Sequence, residues 1–383
     1  MDPLFIVPLA PAPAAIAHLK TWFGATETPP IDQPLGLILG RAASPPKGWE
    51  ALKNRWPNWT FFKAPYLALA FSWTHWPQLA QALAEETPAW FEQIQGLLVP
   101  QEAPRFWLRG TVFEPGRPLV MGILNLTPDS FSDGGLYQAL PNALARAEEM
   151  VAQGADLLDL GGESTRPGSE PVGAEEELAR VLPVLKALRQ RYPELPLSVD
   201  TVKPQVARTV LAAGADLIND VSGLSGGVEM VDAVVGAGAG YVLMHTQGTP
   251  KTMQLDPSYG NPVVDVYAFL EERLAFCMDH GLSRDRILVD PGIGFGKRLD
   301  HNLELLRHQA AFNALGCWVL LGTSNKSFLE KALGLRLDER AEANLAGQVL
   351  GFERGAGVFR VHEVLQTRRA LDLARLYRPL GST

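Results

Sequence analysis

Eight short apolar runs recur between residues 119 and 361, and segments with helical periodicity separate them. The runs fall at 119–124, 156–160, 196–199, 215–218, 240–244, 286–289, 317–321 and 357–361. Apolar residues at helical spacing fill 141–153, 174–190, 204–213, 228–237, 262–280, 301–313, 339–354 and 363–377. Strands that alternate with helices pair in parallel, because each helical crossover brings the chain back to start the next strand at the same end. Eight units in about 260 residues fit a closed (β/α)8 barrel. An open doubly wound sheet is the alternative, since periodicity carries no information about closure.

Each run ends on polar residues. These are Asn125; Gly161 to Arg166; Asp200 and Thr201; Asn219 and Asp220; His245; Asp290; Gly322, Thr323 and Ser324; and His362. A single Asp after a strand is ordinarily a helix cap. Polar residues at all eight ends point instead to a ligand site on the C-terminal face, where barrel active sites are assembled. Asp159, Asp200 and Asp290, with Asn219 and Asp220, would converge in a narrow mouth. Carboxylates so crowded resist ionisation unless paired, and Arg166, Lys297, Lys326 and Arg360 are available. Such a mouth suits a flat heterocycle rich in N–H donors. Arg360 and His362 are alternate residues of one strand and share a face, so both can meet one anion. With Asn125 as a hard oxygen donor nearby, a phosphate or Mg²⁺-bound diphosphate fits. The plainer reading of Arg360 and His362 is an ion pair with Glu363 or a neighbouring loop.

Other chemistries are excluded by spacing. DPGIGFGKR (290–298) has the wrong glycine spacing for a Walker loop, and Arg298 stands where a metal-binding hydroxyl belongs. GAGAG (236–240) precedes a strand instead of following one, so it is no dinucleotide fingerprint. HEXXH is absent, and no Ser–His or Cys–His pair has nucleophile spacing. Cys277 and Cys317 are too few for a disulfide framework, which suits core positions in a reducing compartment. A net charge of −8 argues against nucleic acid as a partner. No apolar run reaches membrane-spanning length; the start faintly resembles a signal peptide, but its first charge is acidic and prolines interrupt its apolar part. A cytoplasmic protein is expected.

The chain before about residue 105 has another texture. Eight of the nine Trp and half of the 30 Pro lie there or just beyond, up to Trp107. Strands are expected at 35–39 and 66–72 and a helix near 77–97, with PQEAP (100–104) as a linker. Residues 1–104 are read as a small α/β or irregular accessory domain packing its aromatics inward, and residues 105–383 as the barrel. Nothing in the spacing of residues 1–104 specifies a reaction.

The polar ends also carry a family resemblance. MGILNLTPDSFSDGG (121–135), DLGGESTRPG (159–168), SVDTVKP (198–204), INDVSG (218–223), MHTQGTPKTMQ (244–254), DPGIGFGK (290–297) and FRVHEV (359–364) resemble, in order, the motifs of dihydropteroate synthase. The resemblance covers roughly residues 105–380. It implies a (β/α)8 barrel and a homodimer. It also implies a transferase that joins (7,8-dihydropterin-6-yl)methyl diphosphate to p-aminobenzoate with release of pyrophosphate. By the same resemblance, Asp200, Asn219, Asp290 and Lys326 would form the pterin pocket. Asn125, Thr165, Arg360 and His362 would hold the diphosphate, with Asn125 the protein ligand of Mg²⁺. Thr165 and Arg166 would sit on one catalytic loop. Thr127, Pro128, Asp129, Ser130 and Phe131 would form a second, a lid. Ser324 or Ser327, near a helix N-terminus, would take the p-aminobenzoate carboxylate.

The chain departs from that family in two places. Ser324-Asn325-Lys326-Ser327 stands where the family usually has Ser-Arg-Lys-Ser, and Glu363 follows Arg360-Val361-His362 where the family has Asp. Both departures bear on the second substrate. Two competing readings are a pterin-dependent methyltransferase of the same superfamily and a non-catalytic pterin-binding paralogue. The former has no use for a diphosphate clamp, so the motifs around Thr165 and Arg360 weigh against it. The latter finds support in Asn325 and opposition in the intact Asn125 and Lys326.

Overall fold

All eight apolar runs are strands, and they close into a barrel. The computed structural model describes residues 4–7, 35–41, 48–56, 60–63, 66–72, 76–88, 91, 104–127, 136–165 and 168–377. The barrel strands are β7 (Leu119–Asn125), β8 (Leu157–Gly161), β9 (Leu197–Asp200), β10 (Leu217–Asp220), β11 (Gly240–Met244), β12 (Ile287–Asp290), β13 (Trp318–Leu321) and β14 (Ala356–Val361). Every pair is parallel, and β14 joins β7 to complete the ring. The open-sheet alternative is thereby excluded.

The crossover helices are α3 (Leu136–Ala152), α4 (Ala174–Arg191), α5 (Pro204–Ala212), α6 (Gly227–Ala237), α7 (Pro262–Asp279), α8 (Leu299–Arg307) and α10 (Ala341–Glu353), with α11 (Val364–Tyr377) after the last strand. A further helix of seven residues, α9 (Ser327–Leu333), precedes α10; its length is below what periodicity can register. Several of these helices bury one apolar face. On α4 the buried positions Val181, Val184, Leu185 and Leu188 recur at the three- and four-residue spacing of one helix face.

Side chains alternate along a strand, so every second residue faces the barrel interior. Leu119, Met121, Leu157, Leu217, Val242, Leu288, Trp318, Leu320 and Val358 form one buried cluster there. Phe106 and Leu108 join it from a hairpin, β5 (Phe106–Leu108) and β6 (Thr111–Phe113), which plugs the N-terminal end. Arg109 (φ 50) and Gly110 (φ 73) make its two-residue turn, the left-handed pair that matches strand twist. The Trp318 ring lies 6.0 Å from Phe106, and its indole N–H donates to the Pro104 carbonyl at 2.6 Å. With the lower half of the interior filled by hydrocarbon, polar inward residues are confined to the upper half.

The chain divides into two compact units, Met1–Glu102 with Tyr259–Ala268 and Glu304–Leu315, and Ala103–Ser258 with Phe269–Leu303 and Gly316–Thr383. The first contains an antiparallel sheet of β1 (Leu4–Val7), β2 (Leu35–Arg41), β3 (Thr60–Lys63) and β4 (Tyr66–Ser72), in the order β1-β2-β4-β3. Helices α1 (Trp49–Arg55) and α2 (Trp76–Glu86) accompany it, burying Trp49, Leu52, Leu79 and Leu83. The strands expected at 35–39 and 66–72 are present, and α2 covers the first half of the helix expected near 77–97, of which residues 89–90 and 92–97 lie outside the described residues. Linker residues 100–103 lie outside the described residues.

Candidate active site

The inward parity that places leucines low in the barrel places acids, amides and cations above them. Asp159 lies opposite Ser198 in the β8–β9 register, and Asp200 lies opposite Asn219 in β9–β10. Asp159 is fully buried and accepts from Ser198 Oγ at 2.5 Å, Asn219 Nδ2 at 3.0 Å and Arg360 Nε at 2.6 Å. Arg360 also donates through Nη2 to Asp200 at 2.9 Å. One guanidinium thus bridges two carboxylates on neighbouring strands. Burial opposes its charge, yet Asp159 and Asp200 hold Arg360 protonated above its ordinary range. Burial pushes Asp200 up to about 8 against the pull of Arg360, and the charge of Asp159 adds to the rise.

Asp290 ends β12 and is buried, with Oδ1 accepting the Gly292 N–H at 2.7 Å. Burial raises its pKa, while Lys326 is the strongest influence in the other direction. The Lys326 ammonium donates to the Ile293 carbonyl and lies 4.8 Å from the centre of the Phe295 ring. Burial lowers it to about 8, opposed by Asp290. A Cβ at Gly322 would lie 3.6 Å from Lys326 Nζ and 3.9 Å from Arg360 Cβ, so the lysine and arginine flank the same point of β13's end.

The glycines of DPGIGFGK serve packing. Gly292 (φ 69) would place a Cβ 1.9 Å from the His245 carbonyl oxygen, and Gly296 (φ 60) one 2.3 Å from that of Gln247. Only glycine allows this approach of backbone to backbone. Lys297 is buried beneath, its Nζ 2.9 Å from His245 Nδ1, and burial lowers its pKa well below the usual range. Lys297 and His245 therefore pair with each other.

At the rim, Asn125 is the last residue of β7 and lies opposite Gly161. A Cβ at Gly161 would be 3.7 Å from Asn125 Oδ1 and 3.8 Å from Asp200 Cβ, so Asn125 borders the carboxylate network. Among the described residues no group of three His, Cys, Asp or Glu could hold a metal ion. A single neutral oxygen fits Mg²⁺ that arrives with phosphate oxygens and keeps several waters.

His362 follows β14, and its Nδ1 lies 3.1 Å from Ser324 Oγ, which donates to Glu363 Oε2 at 2.9 Å. Asn325 adopts a left-handed φ of 59 and donates to Glu363 Oε1 at 3.1 Å. Asn344 Nδ2 donates to Asn325 Oδ1 at 3.1 Å. The two departures from the usual family motifs therefore touch each other, which sequence positions 38 apart could not reveal.

Two expectations need correction. Asp220 does not converge on the mouth. One residue beyond inward-facing Asn219, it turns outward to accept from Tyr241 at 2.6 Å and Ser222 at 2.5 Å. Arg360 pairs with Asp159 and Asp200 inside the barrel, and among the described residues no ion pair joins it to Glu363 or to a loop. Ser324 and Ser327, expected at the p-aminobenzoate carboxylate, stand just before and at the start of α9. Helix α9 has only seven residues, Ser327 is exposed, and the Ser324 hydroxyl is engaged by Glu363 and His362.

Thr165 is half-buried on the β8–α4 loop. That loop is anchored by Lys203, which bridges Glu163 and buried Glu177, and by Arg180 Nη1 donating to the Gly162 carbonyl at 2.7 Å. Sequence reasoning misses this anchor; opposite charges in two separate motifs are the available signal. It misses Ser198 as well, whose inward parity with Asp200 is the clue. Thr127 is half-buried, whereas Arg166 and the lid residues Pro128, Asp129, Ser130 and Phe131 lie outside the described residues. A separate cavity of about 350 Å³, lined by Trp107, Val235, Leu282 and Arg286, opens near the N-terminal ends of the strands and includes none of these groups.

A parallel barrel that gathers carboxylates, a carboxamide, a lysine and an arginine at the C-terminal ends of its strands defines a barrel enzyme with a site for a donor-rich ring and an anion. Residues 121–362 match the family described as pterin binding enzyme. The dihydropteroate synthase of Escherichia coli K12 is 43% identical over 269 residues, covering 70% of this chain and 94% of the relative. That of Neisseria meningitidis serogroup B is 44% identical, covering 71% and 97%. The chain belongs to the pterin binding enzyme family, among the dihydropteroate synthases. Solved structures agree: the Xanthomonas albilineans dihydropteroate synthase with 4-aminobenzoic acid superposes with a TM-score of 0.67 at 42% identity, covering 72% of this chain and all of that one. The Burkholderia cenocepacia synthase complexed with 7,8-dihydropteroate gives 0.63 at 44% identity, covering 72% and 96%.

Proposed function

We propose that this transferase condenses (7,8-dihydropterin-6-yl)methyl diphosphate with p-aminobenzoate, giving 7,8-dihydropteroate and pyrophosphate. The observation that carries the reading is the placement of Asp290 and Lys326 beside the Arg360–Asp200 pair, at one end of a closed barrel. It puts acceptors for a donor-rich ring next to a cation suited to phosphate. The methyltransferase and non-catalytic alternatives are not favoured, since the relatives that match along nearly their whole length are synthases.

In this reading Asp290 accepts from adjacent N–H groups of the pterin, and Asn219, Asp200 and Lys326 complete the pocket. As the bond to diphosphate loosens, positive charge develops on the pterin methylene, and the acceptor oxygens of the pocket face it. Arg360 and His362 stabilise the departing pyrophosphate, with Thr165 on the adjoining loop. The amine nitrogen then attacks the methylene carbon and loses its proton. Mg²⁺ bound with the diphosphate would neutralise part of its charge, and Asn125 is assigned as the protein oxygen that would meet it. Arg166 and the 127–131 loop are assigned the exclusion of water.

We assign residues 1–104 to an accessory domain and the rest to the catalytic barrel. A cytoplasmic location is supported by two free, buried cysteines. Among the described residues no helix is long and apolar enough to cross a membrane. Exposed Leu350 on α10 and Leu373 and Leu376 on α11 support a homodimer. The test is pyrophosphate release from the pterin diphosphate, with and without p-aminobenzoate and Mg²⁺. Folded protein that shows no amine-dependent release would overturn the reading.

A further inference from the structure

The carboxylate that ties the site together is not among those assigned to a substrate. Asp159 is fully buried, and its three donors come from three different strands: Ser198 on β9, Asn219 on β10 and Arg360 on β14. An ionised carboxylate only accepts, so whatever faces it must donate. The Asn219 amide is therefore held with Nδ2 toward Asp159, leaving Oδ1 as its acceptor for a ligand. Arg360 is fixed in two directions, Nε to Asp159 and Nη2 to Asp200, which sets the plane of the guanidinium. Ser198, the third donor, has no assigned substrate contact; its Oγ–H binds Asp159 Oδ1 at 2.5 Å.

We propose that Asp159 is a positioning residue of the active site, orienting the Asn219 amide for the pterin and the Arg360 guanidinium for the diphosphate at the same time. The proposal rests on the assignment of those two residues given above. It explains why Asp159 is fully buried while Asn219, Asp290 and Asp200, the groups assigned to the ring, keep 2%, 5% and 6% exposure. A buried carboxylate without such donors would be strongly disfavoured. Here the three donors satisfy it, and it in turn removes the alternative amide and guanidinium orientations.

The test is Asp159→Asn in the full chain, with two ligands titrated separately: inorganic pyrophosphate, and a dihydropterin lacking the diphosphate. Both affinities are expected to fall together, each by roughly tenfold to a hundredfold, because misplacing a group by an ångström has effects of that order. The KM for p-aminobenzoate is expected to stay within about twofold, a split that general loss of structure would not give. Retention of either affinity would overturn the proposal. Should Asp159→Asn fail to fold, Ser198→Ala decides: it removes one donor to Asp159, and a paired, smaller loss of both affinities is expected, while no change in either overturns the proposal. Wild-type protein lacking amine-dependent pyrophosphate release would instead sink the synthase reading, and the ligand titrations would still report on Asp159.

Discussion

Replacing Asp290 by Asn perturbs one oxygen and little else. The Asn carbonyl can still accept the Gly292 N–H that Asp290 Oδ1 takes at 2.7 Å, so the loop has no reason to open. The amide NH₂ then stands where the second carboxylate oxygen was, and faces a pterin N–H with another donor. A charge-assisted hydrogen bond to a buried group is worth about 1.5–3 kcal/mol, and the facing donors push the loss to the upper end. A loss of about 3 kcal/mol weakens pterin binding roughly 150-fold. Stability should move the other way. Burial raises the Asp290 pKa, so ionising it opposes folding, and that contribution worsens as pH rises through the folded value. The variant has no such slope. Lys326 loses the neighbour that holds it up at about 8, so its charge should be lost at lower pH in the variant. Isothermal titration with the dihydropterin ligand, and with pyrophosphate as control, measures the effect. Unchanged pterin affinity in a folded variant would refute the pocket assignment.

Trp318→Ala empties the floor of the barrel, where the indole is 5% exposed and bonded to Pro104, and should destabilise the chain by about 3–5 kcal/mol. Chemical denaturation measures this, and a loss below about 1 kcal/mol would show that the hairpin does not seal the core. Asp200 has a folded pKa raised to about 8, so its contribution to stability is highest in acid and is lost as pH rises from about 4 to about 8. Thermal melts of Asp200→Asn across that range should lack this fall; an identical pH dependence in both proteins would contradict the raised value. Burial pushes both Cys277 and Cys317 up to about 12, so a thiol reagent should label neither in native protein and both after denaturation. Rapid native labelling would contradict their burial.

The amino-acid order alone determines a great deal here. Runs of apolar residues bounded by polar ends mark each barrel strand to within two residues, because burial on both faces demands continuous hydrocarbon. The run at 286–289 is the strand Ile287–Asp290, and the run at 317–321 is Trp318–Leu321. The end of the barrel that carries the chemistry is equally legible, since polar residues gather after the runs and not before them. The hairpin Phe106–Phe113 escapes a sequence reading although its Arg109-Gly110 turn is in view, because strands of three residues fall below any periodicity.

Tertiary structure decides which polar residue faces which. Asn219 and Asp220 are neighbours of similar character, yet one points to Asp159 and the other to Tyr241. The sequence carries the alternation but not its phase, which is set when β10 pairs with β9 and β11. Arg360 meets Asp159 across 201 positions of chain only because β14 closes on β7, which pairs in turn with β8. Asn325 meets Glu363 through the pairing of β13 with β14, which needs no closure of the ring. Local pattern specifies the strands; closure of the ring, a contact between the barrel's first and last strands, specifies the site.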